Sequence, residues 1–129
     1  MAKRLLLPQH LDDLRGSGLS DATIAAARFY SETDPREVAR LLNRKRVDES
    51  LAPALVIPFF GLDGEPTDFA RVKPDRPPVD SKGKAAKYLQ PSETPLRAYY
   101  PPRAIVLILN PAGPLIIVEG EKKALAIAS

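Results

Sequence analysis

The sequence predicts an α+β fold: a helical segment over residues 1–50, a small twisted antiparallel β subdomain over 51–103, and a strand-helix unit from 104 to 129. Three observations carry that expectation. Apolar residues recur at helical spacing before Ser50 and in short runs after it. Asp63-Gly64, between two apolar stretches, is a hairpin turn, because glycine accepts positive φ. Finally, 14 prolines in 129 residues favour irregular connections and short strands over long helices.

The helical segment opens with Leu11 and Leu14 on one face and breaks at Gly16-Ser17-Gly18, which reads as a plain helical hairpin. Ser20 is placed to cap a second helix carrying Ile24, Ala27 and Phe29, since a serine hydroxyl accepts an orphan amide at a helix start. Asp34-Pro35-Arg36-Glu37 is a stronger start signal, with a capping side chain, a proline at the first helical position and a glutamate three residues on. Val38, Leu41 and Leu42 continue it at helical spacing. Arg44-Lys45-Arg46 then opposes the negative end of the helix dipole.

After Ser50 the period changes. Ala54-Leu55-Val56-Ile57-Pro58-Phe59-Phe60 reads as a strand that Pro58 drives toward an edge or a bulge. The return strand is expected over residues 68–72, with Arg71 turned to the face opposite Phe69, and residues 74–86 as a loop containing Ser81-Lys82-Gly83-Lys84. Residues 105–109 form a short apolar strand. Leu115-Ile116-Ile117-Val118 is a second one, of the kind buried on both faces in a parallel sheet. It runs into Glu119-Gly120-Glu121 and a helical start, which sets Glu119 at the carboxyl end of a strand, where sites in such sheets lie. A lone strand-helix lacks neighbouring parallel strands, so a truncated or fragmentary last unit is expected.

Composition narrows the chemistry. With no cysteine there is no disulfide, thiolate catalysis or cysteine-based zinc site, and with His10 the only histidine a Ser-His triad is not expected. Any metal would be a hard cation held by carboxylates. No window reaches the roughly 20 apolar residues that span a bilayer, and Pro8 cuts the opening apolar run short of a signal peptide, so a cytoplasmic protein is expected. The overall charge of +3 is unevenly spread. Residues 69–103 hold eight bases against three acids, a distribution that suits a polyanionic partner as well as it suits a solvated basic loop.

The residues of the last unit, Leu115-Ile116-Ile117-Val118-Glu119-Gly120-Glu121-Lys122-Lys123-Ala124, resemble the first toprim motif. Val56-Ile57-Pro58-Phe59, Leu62-Asp63-Gly64 and Phe69-Ala70-Arg71-Val72 are similar to the hairpin that opens the catalytic core of bacterial replicative primases. Lys87-Tyr88-Leu89-Gln90-Pro91-Ser92-Glu93-Thr94-Pro95 is similar to the stretch that follows it there. The elements Lys87 to Pro91, Tyr100 to Pro102 and Glu119 to Ala124, in that order, resemble most closely a toprim-containing domain of uncharacterised function in phage and plasmid replication proteins.

That resemblance implies an N-terminal fragment of a primase-like protein, binding single-stranded DNA and, in the complete protein, nucleotides. It implies Glu119 as the catalytic residue, a metal-associated acid or general base, with Mg2+ in the complete protein and no zinc. It implies nucleic-acid contacts from Arg71, Lys73, Lys82, Lys84, Lys87 and Tyr88, and a helicase or other replication partner. Phosphoryl transfer needs positioned divalent ions and cations that neutralise phosphate rather than covalent chemistry from the protein. The second acidic pair of the toprim pattern does not occur in these residues, so the chain alone is expected to make no primer. A non-enzymatic nucleic-acid or protein-binding module of a mobile-element replication protein is the other reading.

Overall fold

The computed structural model describes residues 5–79, 82–94 and 99–100. Within them the order is α1 (Pro8–Gly16), α2 (Asp21–Ala26), β1 (Tyr30–Glu32), α3 (Pro35–Leu41), a 3-10 turn (Glu49–Leu51), β2 (Ala54–Phe60) and β3 (Pro66–Pro74). The chain is α+β as expected. The unit expected from residue 104 onward lies outside the described residues.

The helix ends follow local chemistry. Ser20 accepts from the Thr23 amide at 3.2 Å and Asp34 accepts from the Arg36 amide at 2.9 Å, each capping a helix start. Glu37 does not reach back to the cap; it takes Arg40 at 2.9 Å one turn on. Both α1 and α3 close with paired backbone bonds around a left-handed residue. Gly18 (φ 88°) bonds to Arg15 and Leu19 to Leu14; Asn43 (φ 54°) bonds to Arg40 and Arg44 to Ala39. Gly16-Ser17-Gly18 is therefore a helix stop, and α2 begins three residues after Gly18. Arg15 spans the gap with two bonds of 2.9 Å to the Asp21 carboxylate.

The three strands form one antiparallel sheet in the order β1-β2-β3, with Tyr30 opposite Val56 and Val56 opposite Val72. One expectation changes here and another is narrowed. Residues 30–32 are a strand, although they fall inside the segment read as helical. Backbone pairing with β2 decides them, a long-range partner that three residues cannot announce. For Pro58 the bulge holds and the edge does not: β2 is the central strand, and the register shifts between Pro58 and Phe60. The hairpin turn is as expected, with Gly64 at φ 83°.

Alternation along the strands sorts the core into two faces. Leu55, Ile57, Phe59 and Phe69 pack with Leu14, Leu19, Ile24, Ala27 and Phe29 under α1 and α2. Ala54, Val56, Ala70 and Val72 face α3 and the 3-10 turn, packing with Val38, Leu42, Leu51 and Tyr30. Covering both faces explains why β2 is a nearly unbroken apolar run. Full burial of each such side chain contributes about 1.5–3 kcal/mol. Arg71 shares the face of Phe69, not the opposite one, since residues two apart in a strand point the same way; it sits opposite Ile57, under the α1 side.

Candidate functional site

Past β3 the chain folds back along the edge of the sheet. Val79 bridges Ala85, and the Ala86 amide donates to the Pro78 carbonyl at 2.9 Å, closing a small loop in which Gly83 holds φ 80°. Lys82, Lys84 and Lys87 are exposed on this loop and just after it. Leu89 then pairs with Val72 on the outer edge of β3 through two bonds of 2.8 Å. That pairing works like a short strand, so adjacent side chains go to opposite faces. Tyr88 packs against the α1–α2 core and Leu89 against the α3 core. The Ser92 amide donates to the Leu42 carbonyl at 2.9 Å, which fastens this returning segment, a strap over residues 82–92, to the end of α3.

The strap brings Tyr88 over the outer part of β3. The Arg71 guanidinium carbon lies 5.0 Å from the Tyr88 ring centroid and the Lys73 ammonium 5.8 Å from it. A ring face carries negative quadrupole charge, so it draws both cations and offsets part of their mutual repulsion. Lys73 also donates to Asp13 of α1 at 2.9 Å, with the lysine side chain 28% and the aspartate 38% exposed. Three of the expected contact residues (Arg71, Lys73, Tyr88) are thus gathered at one place, and three more (Lys82, Lys84, Lys87) lie on the exposed stretch leading to it. Two differences from expectation follow. Lys73 is engaged by an acid, and the Tyr88 ring is already approached by two cations of this chain. Glu119, with the metal role expected of it, lies outside the described residues.

A second polar cluster went unread in the sequence. His10, only 5% exposed, lies 2.6 Å from the Ser31 hydroxyl through Nδ1 and 2.5 Å from the Asp75 carboxylate through Nε2. The Ser31 oxygen also accepts the Leu7 amide at 2.8 Å, and Gln9 donates to the other Asp75 oxygen at 3.2 Å. The order acid-imidazole-hydroxyl is that of a hydrolytic triad, which the composition had argued against. Its setting is not. Ser31 is 6% exposed in β1 and already holds a backbone amide, so its hydroxyl has no open side for a substrate. The cluster ties α1 to β1 and to the end of β3. The spacing of His10 and Asp13 three apart on α1 was the one available signal, because it puts both on the face that meets β3.

Elsewhere the charges act locally. The Arg15 guanidinium, hydrogen-bonded to Asp21, holds that carboxyl below its ordinary value, and Asp21 raises Arg15 in return. Hydrogen bonds from Ser50 lower Asp48, with the nearby positive charges of Arg44 and Arg46 adding to the effect. Two members of the basic cluster after α3 therefore act on an acid of this same chain. Among the described residues no group of three or more histidines and carboxylates is placed to hold a metal ion, and no helix is long and apolar enough to cross a membrane. Compared with known protein families, curated proteins and solved structures, the chain matches none.

Proposed function

We propose that the strap and the outer part of β3 form a surface that binds single-stranded nucleic acid or nucleotide phosphates. We propose further that this chain is the N-terminal part of a primase-like toprim replication protein acting in the cytoplasm. The observation that supports the binding role is the folding of Tyr88 back over Arg71 and Lys73 of β3, beside the exposed Lys82, Lys84 and Lys87. Cations that follow a phosphate backbone beside an aromatic side chain suit a single strand, because every base offers a π-face whatever its identity. The replication role rests on the order of the motifs around Lys87, Tyr100 and Glu119. In that protein Glu119 would hold Mg2+, which would supply neutralisation of phosphate charge. One such carboxylate does not make a two-metal centre, so the chain by itself makes no primer.

Fluorescence anisotropy of a labelled thymidine oligonucleotide, titrated with the chain at two salt concentrations, tests the binding role. Phosphate-dominated binding weakens steeply as salt rises, the logarithm of affinity falling by about 0.7 per phosphate contact for each decade of salt. The pair Arg71→Ala and Lys87→Ala should weaken binding and flatten that dependence. An oligonucleotide that does not bind at low salt, or binds the double variant equally well, removes this surface from the proposal.

A further inference from the structure

Asp13 is an acid that the fold sets directly on the cationic cluster. It reaches from α1 to the Lys73 ammonium at 2.9 Å, and the same ammonium lies 5.8 Å from the Tyr88 ring. A carboxylate oxygen there offers Lys73 what a phosphate oxygen would: a negative acceptor at hydrogen-bonding distance. The pair is about one third exposed, so water and ions reach it, and an ion pair in that setting contributes little to folding. Meanwhile α1 does not depend on it for its place. His10 and Gln9 hold the helix to Asp75 independently, and Leu14 anchors it in the core with no exposed surface.

We infer that Asp13 is an internal stand-in for phosphate, a built-in competitor that occupies Lys73 until a nucleic-acid backbone displaces it. This rests on the nucleic-acid reading above and adds its regulation. With the strand absent, Asp13 lowers the attraction of this surface for any stray anion. A polyanion reaching Arg71 and the strap lysines at the same time presents a phosphate to Lys73 at high local concentration, and Asp13 yields. The contact costs the complex the worth of one exposed ion pair, so it tunes affinity without blocking binding.

The test is the same oligonucleotide titration with the full chain carrying Asp13→Asn, which keeps the side chain's shape and an acceptor oxygen. Affinity should rise about two- to five-fold, the range a largely solvated ion pair allows, with the salt dependence little changed, because the wild-type complex already makes the Lys73–phosphate contact once Asp13 has yielded. Asp12→Asn, which removes an equal charge from the next residue of the same helix, should raise affinity less. In the double variant Asp13→Asn with Lys73→Ala the gain should vanish. An unchanged or weaker affinity for Asp13→Asn, with thermal unfolding like wild type, overturns the inference, as does an equal gain from Asp12→Asn or a gain that survives Lys73→Ala. Should Asp13→Asn unfold, the contact is structural and the inference falls as well. If wild type does not bind the oligonucleotide at low salt, the underlying nucleic-acid reading fails instead, and the titration separates that failure from this one.

Discussion

Replacing His10 with alanine tests the buried strut that joins α1, β1 and the end of β3. The imidazole makes a 2.6 Å contact with Ser31 and a 2.5 Å contact with Asp75, and it is 5% exposed. A hydrogen bond between neutral groups contributes about 1 kcal/mol, and one to a charged carboxylate about 1.5 kcal/mol or more. Truncating the ring adds the loss of its packing, while Ser31 keeps the Leu7 amide and Asp75 keeps Gln9, so each retains one partner. The expected loss is therefore about 2–4 kcal/mol, a large part of the roughly 5–15 kcal/mol that stabilises a domain. In urea the midpoint should fall by about 1–2 M, for a dependence of about 2 kcal/mol per M. Asp75→Ala should cost less, and the double variant less than the sum of the two, because the shared bond is lost only once. A change under about 0.5 kcal/mol for His10→Ala, within the range of ordinary surface substitutions, or strict additivity with Asp75→Ala, would falsify the strut.

Three further outcomes follow from the same structure. Leu14→Ala, at a side chain with no exposed surface, should cost about 2–5 kcal/mol in a denaturation series, whereas Leu62→Ala at the exposed hairpin tip should cost little. Asn43→Val should destabilise by about 1 kcal/mol or more and Asn43→Gly hardly at all, since Asn43 ends α3 at φ 54°, where a β-branched residue is strained. Asp21 is held below its ordinary value by Arg15, so the unfolded chain binds its proton more readily than the folded one. The stability difference between wild type and Asp21→Asn should then be fully present above about pH 4, the ordinary aspartate value. It should close as pH falls through the lowered folded value, and urea midpoints measured across that window check the direction.

Much of the scaffold was written locally. Ser20 and Asp34 are caps because their short polar side chains satisfy amides two or three residues away, and Gly64 turns the hairpin because it lacks a Cβ. Such interactions span few residues, so the sequence carries them in plain order. β1 shows where this ends. Tyr30, Ser31 and Glu32 have no strand pattern of their own, and only pairing with β2 and a cover from Leu5, whose carbonyl takes the Ser31 amide at 2.7 Å, makes them one.

The candidate surface divides in the same way. The sequence alone determined the basic middle segment, the residue types Arg71, Lys73, Lys87 and Tyr88, the absence of thiol chemistry, and the α+β class. Only the tertiary structure decided that Tyr88 turns in toward Arg71 and Lys73, that Asp13 is bonded to Lys73, and that His10 is enclosed between Ser31 and Asp75. The physical reason is separation along the chain. Asp13 and Lys73 lie 60 residues apart and His10 and Asp75 65 apart. Their meeting depends on how helices pack over a sheet, and no local period or spacing encodes that.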